Sequence, residues 1–200
     1  MTILAIVGKA DKRVLAYPLI KALSLMGKTC VVTDDVAYRR LYSGTADSGI
    51  IDDVEINIQK SLSEDVAEEM EKDREETEFD YMLFLTDTFV PDHAGKVVAL
   101  CSQSRTFLGE EIDGLAEEND DGRFVFATMA LYTKTKRFWK VPLTQIVWKA
   151  DYVEYACETE ERRQLMPLKD KTVDGFLCDA FAQTLNLNPM NMKKILDRKL

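Results

Sequence analysis

The sequence predicts a three-layer, doubly wound α/β domain, with a mostly parallel sheet of about seven strands and helices on both faces. Three observations predict it. Strand-like and helix-like patterns alternate along the chain. Several strand runs are almost continuously apolar, as a sheet covered on both faces requires. The opening stretch, "ILAIVGKADKRVLAYPLIKALSLMGKTCVVTDD", reads strand, loop, helix, strand and closes on two aspartates.

Taken in order, strands are expected at 2–7, 29–33, 53–58, 80–86, 96–101, 123–130 and 144–150. Helices are expected at about 14–26, 61–77, 104–119, 158–165 and 171–185, with a short final segment from Pro189. Pro18 lies inside the first helical pattern, where its missing N–H removes a backbone bond, so regular helix is expected only from near Ala16. "SGTADSG" at 43–49 and "EENDDG" at 117–122 read as surface loops. In an open parallel sheet, ligands bind outside the carboxyl ends of the strands. Gly8 to Lys12, Thr33 to Asp35 and Thr86 to Thr88 should therefore converge on one crevice.

The whole chain, 1–200, reads as one domain with a short helical tail at 189–200. Its 200 residues are enough to bury a core without staples, and 46% hydrophobic with 30% charged residues is a globular composition. Cys30, Cys101, Cys157 and Cys178 are far apart, which points to neither a disulfide framework nor a zinc site and fits reducing cytoplasm. No stretch approaches the roughly 20 apolar residues of a membrane span, and the first apolar run is too short for a signal peptide.

The net charge of −9 is concentrated. Between Glu64 and Asp80, ten acidic residues face only Lys72 and Arg74, a local sum of −8. Such a run reads as a solvated helix face, docked through Leu62, Val66 and Met70. It repels polyanions, so free nucleic acid is disfavoured as a partner.

The loop after the first strand carries the candidate site. A phosphate-binding loop of the form G-x-x-x-x-G-K-[ST] needs glycines that free backbone N–H groups, a lysine for charge and a hydroxyl for magnesium. Here the residues are Gly8-Lys9-Ala10-Asp11-Lys12-Arg13. One glycine remains, Arg13 stands where the hydroxyl belongs, and Asp11 puts a negative charge where phosphate would sit.

"ILAIVGK" followed by "LIKALSLMGKTCVVTDD" resembles the ParA/MinD family of deviant Walker A, P-loop NTPases. The match continues in order through "EFDYMLFLTDT", "HAGKVVALCSQSRTFLGEEIDGL" and "RFVFATMA", over about residues 2 to 185. The resemblance implies that Lys9 is the family's signature lysine and that Lys12 stands for the second lysine. It sets the second-strand aspartates on Thr33 and Asp35. The third motif's aspartate falls on Leu85, or on Asp87 if the strand runs longer, and Ala130 to Tyr132 offer no asparagine to read a base. Gly8, Lys9, Lys12, Arg13, Asp35 and Asp87 are thus the candidate nucleotide-binding residues, with ATP or ADP as the implied ligand and magnesium deprived of its hydroxyl. No catalytic residue and no resident metal are assigned. Read without the resemblance, Lys9 and Lys12 are surface lysines of a βα loop, and Asp35 and Asp87 cap the elements that follow them.

The resemblance, which extends to the TadZ/CpaE-like adaptor branch, implies a non-hydrolysing scaffold that positions a secretion, pilus, conjugation or DNA-segregation machine. The alternative is an active ATPase with an atypical short loop, acting in partition or cell-division positioning. Either implies a homodimer and a protein partner within a larger machine.

Two further stretches suit binding. "KTKRFWK" at 134–140 interleaves cations with Phe138 and Trp139. The tail "MNMKKILDRKL", if helical, sets Met192, Ile195, Leu196 and Leu200 on one face; it is expected to pack on the domain, leaving membrane contact weak or partner-dependent. His93, the only histidine, reads as a loop residue.

Overall fold

The computed structural model describes residues 1–42, 45–76, 78–101, 122–130 and 143–198. The expected helix at 104–119, the 134–140 cluster, most of the 117–122 loop, Leu131, Tyr132 and Leu200 lie outside the described residues. Within them run β1 (Thr2–Val7), α1 (Arg13–Ser24), β2 (Thr29–Thr33), a 3-10 helix (Val36–Leu41), β3 (Ser48–Ile51) and β4 (Val54–Ile58). They are followed by α2 (Glu64–Glu76), β5 (Tyr81–Thr86), β6 (Lys96–Cys101), β7 (Phe124–Ala130) and β8 (Leu143–Val147). Three helices complete the series: α3 (Ala150–Arg162), α4 (Lys171–Phe181) and α5 (Pro189–Leu196).

The strands form one sheet in the order β3-β4-β2-β5-β1-β6-β7-β8. Every neighbouring pair is parallel except β3 with β4. Alternation along β1 explains the layers: Leu4 and Ile6 point into one core, Ala5 and Val7 into the other. The first core is closed by α1, the 3-10 helix and α3 to α5, through Leu15, Leu19, Tyr38, Tyr152, Leu177 and others; the second takes Ala67, Leu62 and Met70 from the α2 side. The chain leaves β1 toward β2 on one flank, whereas it leaves β5 toward β6 on the other. The carboxyl ends of β2, β5, β1 and β6 therefore stand side by side around a topological switch point.

Four expectations are corrected. Part of the expected 43–49 loop is the start of β3, which gives the sheet eight strands among the described residues. Its hairpin turns on Asp52 and Asp53, both at positive φ (46° and 63°), a geometry usually marked by glycine or asparagine and so invisible in this sequence. The first helix starts at Arg13 and runs straight through Pro18. Val14 through Leu23 are all buried there, and that apolar burial outweighs the roughly 3 kcal/mol of a proline in a helix interior. The third difference is at α3, which starts at Ala150, well before the expected 158, because Tyr152, Tyr155 and Ala156 recur at helical spacing and are buried. Lastly, α4 ends at Phe181 rather than 185.

Expectations for the acidic helix and the tail are met. The acidic helix turns Asp65, Glu68, Glu69, Lys72 and Asp73 to the surface, with Leu62 and Met70 packed on the second core and Glu71 buried. Met192 and Leu196 of α5 are buried, so the tail packs on the domain. All four cysteines are free thiols, and only Cys157 is exposed. Among the described residues no helix is long and apolar enough to cross a membrane.

Candidate functional site

The loop from Gly8 to Lys12 bends back over the sheet edge because Gly8 lets it. Gly8 has φ 134°, and a Cβ there would lie 2.1 Å from the carbonyl oxygen of Leu100 on β6. The glycine that opens the motif thus serves close packing of β1's exit against β6. Beyond it, Lys9 is exposed and has no ion-pair partner among the described residues.

Lys12 behaves differently. Its side chain is 4% exposed and its Nζ donates to the Gly8 carbonyl at 2.6 Å and to Asp87 Oδ1 at 2.8 Å. Asp87 follows β5 directly, so the expected convergence of the first and third stretches occurs. The second stretch joins through Asp34: the Asp87 backbone N–H donates to Asp34 Oδ2 at 3.1 Å. Burial pushes the Asp34 carboxyl above its ordinary pKa and the Asp87 charge adds to this, against the opposing hydrogen bond from the Asp87 N–H. Asp35 turns to a local task, accepting from the Ala37 N–H at 2.8 Å as the cap of the 3-10 helix.

At the start of α1, the chain supplies its own anion. Asp11 Oδ1 accepts the backbone N–H of Arg13 at 3.0 Å, and its two oxygens take Arg13 Nε at 2.9 Å and a terminal nitrogen at 2.7 Å. Burial opposes ionisation of Asp11, but the bonds from Arg13 outweigh it and hold the carboxyl below its usual value. A helix N-terminus favours an anion; here it already has one. The other terminal nitrogen of Arg13 reaches Glu160 Oε1 on α3 at 2.9 Å, and the contacts with Asp11 and Glu160 push the guanidinium's pKa still higher. Glu160, almost fully buried, also accepts from the Tyr17 hydroxyl at 2.9 Å and lies 3.6 Å from Arg40.

Lys9, Asp11, Lys12, Arg13, Asp34, Asp35, Arg40 and Asp87 line one open cleft of ≈ 490 Å³. All the sequence-predicted site residues except Gly8 line it, and Gly8 meets it through its carbonyl bond to Lys12. Three residues were missed. Asp34 was passed over for its neighbour, although two consecutive aspartates at a strand end point alternate ways. Arg40 and Glu160 carry no motif, and Glu160 is 147 residues from its partner Arg13.

The residues do not fit a magnesium ion. Arg13 stands where a phosphate-binding loop of the form G-x-x-x-x-G-K-[ST] has its hydroxyl, Asp87 is ion-paired to Lys12, and among the described residues no three His, Cys, Asp or Glu side chains form a metal-binding group. Elsewhere, His93 sits in the loop between β5 and β6, 3.1 Å from Glu71. Its bond with Glu71 raises the imidazole's pKa as an ion pair should, while burial of the Glu71 carboxyl pushes that group up as well. At Glu71 burial outweighs the pairing.

An eight-stranded, mostly parallel sheet with helices on both faces and a βα loop at its switch point defines an α/β fold of P-loop NTPase type. No family model and no curated protein matches the sequence. Among solved structures the chain is similar to the MinC:MinD cell division protein complex of Aquifex aeolicus, with a TM-score of 0.58 and 11% identity, over 100% of this chain and 98% of that one. At that identity the likeness is one of fold, and the fold is MinD-like.

Proposed function

We propose that the protein is a degenerate ParA/MinD-like scaffold or adaptor that does not hydrolyse nucleotide. One observation carries this reading: Asp11 occupies the N-terminus of α1 with its own carboxylate, beside a lysine already drawn to Gly8 and Asp87. Phosphoryl transfer needs donors and a metal aimed at the transferred group, and here Lys12 and Arg13 are engaged by the chain's own acceptors. If ATP or ADP enters, Lys9, Lys12, Arg13, Asp35 and Asp87 line its cleft, and the ligand acts as a structural element that stabilises the fold by mass action.

A scaffold works through partners. The neighbouring structure is a complex of two different proteins, which supports a protein partner for this chain; a homodimer, and a place in a secretion, pilus, conjugation or DNA-segregation machine at the cytoplasmic side, belong to the same reading. Free nucleic acid is disfavoured by the acidic α2. The second reading, an active ATPase with a short loop, draws support from the convergence of Lys9, Lys12 and Asp87 on one cleft.

Calorimetry with ATP and with ADP, each with and without magnesium, separates the two. The scaffold reading predicts weak binding at best, indifferent to magnesium; tight binding that requires magnesium favours the ATPase. Light scattering at micromolar concentration without nucleotide should show a dimer, and a monomer under all conditions would remove self-association from the reading.

A further inference from the structure

The Asp11 contact is more than a local turn, because its guanidinium partner is anchored from the far end of the chain. Arg13 lies between two carboxylates: Asp11 holds one edge of the guanidinium, and Glu160 on α3 holds the other. Glu160 is fixed in turn by Tyr17 of α1 and faced by Arg40, which stands on the cleft rim with its side chain 65% exposed. Three elements that flank the cleft are therefore tied through one buried carboxylate. An incoming phosphate-type anion meets a site whose backbone N–H and guanidinium already carry a carboxylate, and must displace it against that anchored geometry.

We propose that Asp11, Arg13 and Glu160 form an autoinhibitory latch: Asp11 bars phosphate-type anions from the cleft, and Glu160, acting through Arg13, is the positioning residue that keeps Asp11 in place. The latch rests on the reading of this loop as a degenerate P-loop. It goes beyond that reading in two ways: the lost anion affinity is held by a reversible contact, and α3 controls it. A partner that moves α3 would loosen the loop without touching it.

The test uses the full chain as wild type, Asp11→Asn and Glu160→Gln, titrated calorimetrically with pyrophosphate and, separately, with ADP, both free of magnesium. Asp11→Asn keeps a side-chain acceptor for the Arg13 N–H, while it removes the charge and replaces the oxygen that accepts from the Arg13 terminal nitrogen by an amide donor; at a partly exposed position it should fold, and circular dichroism checks this. Removing one adjacent negative charge should tighten pyrophosphate binding by at least about tenfold. Glu160→Gln leaves Asp11 charged but weakens the anchor, and a smaller gain in the same direction is expected. A parallel gain for ADP marks the cleft as a nucleotide site; a gain for pyrophosphate alone marks it as a site for the anion, and both support the latch. Folded Asp11→Asn that binds pyrophosphate no better than wild type overturns the latch. A gain in Asp11→Asn with none in Glu160→Gln overturns the role of α3. Neither outcome touches the scaffold reading, which ATP turnover by the wild type decides separately.

Discussion

The Nζ of Lys12 lies 2.8 Å from Asp87 Oδ1, and this contact joins the exits of β1 and β5 at the middle of the sheet edge. It explains why a cation can be buried beside the sheet. The second bond, to the Gly8 carbonyl, satisfies another of its protons, and Asp87 remains 54% exposed, so the carboxylate keeps much of its hydration. Lys12→Met should keep the apolar stem and lose both bonds, lowering stability by about 1 kcal/mol, since half-exposed pairs contribute little more. Urea denaturation would read it. A loss several times larger would mean that Lys12 organises the loop more widely than its two bonds show.

Gly8 makes the sharper prediction. Alanine there combines a backbone conformation that L-residues avoid with a Cβ placed 2.1 Å from a backbone oxygen of β6. Gly8→Ala should destabilise the fold by about 3 kcal/mol or prevent folding. A variant with unchanged urea midpoint would show that the close approach of β1 to β6 is relaxed in solution.

How much of this was legible in the sequence follows from where the signals lie. Local patterns located β1, β2, β5 and β6, since continuous apolar runs carry their own evidence, and with them came the crevice at Gly8, Thr33 and Thr86. The helix through Pro18 was not legible, because the compensation lies in ten consecutive buried residues against a sheet that only the fold supplies. Nor was β3, whose turn uses two aspartates in left-handed conformation. At the site, the position of Asp11 could be read as a charge in the wrong place. That Arg13 binds it with both its N–H and its guanidinium is a matter of local geometry, and that Glu160 holds Arg13 depends on a contact between residues far apart in the chain.

Stability should also depend on pH through Asp174 of α4. Its carboxyl is buried, with one oxygen lacking a partner, and burial followed by the charges of Asp197 and Asp170 pushes its pKa up from 3.8 to about 6. A folded-state pKa above the unfolded value contributes stability that is full below about pH 4 and lost as pH rises through about 6. Asp174→Asn removes that titration. The variant should gain on the wild type by about 2 kcal/mol between about pH 4 and pH 7.5, in urea denaturation at both ends. A constant difference across that range would contradict the burial argument.

The final helix gives a fourth expectation. Met192 and Leu196 are buried against α1 and α4, and Lys21 Nζ, itself fully buried, donates to the Leu196 carbonyl at 3.3 Å. The apolar face that a membrane would need is already occupied, leaving Met190 as the exposed large hydrophobic side chain of α5. In sedimentation with anionic liposomes, the full chain should therefore pellet no more than a chain ending at Asn188. Strong binding that vanishes with the tail would show that α5 detaches readily.

The most direct measurement of the scaffold reading is phosphate release from ATP by the full chain, with and without magnesium, beside Lys12→Ala. The account predicts that wild type and variant both stay at the level of the protein-free blank under each condition, because Lys12 faces Gly8 and Asp87 and no hydroxyl stands at Arg13. Magnesium-dependent turnover by the wild type, lost in Lys12→Ala, would contradict it.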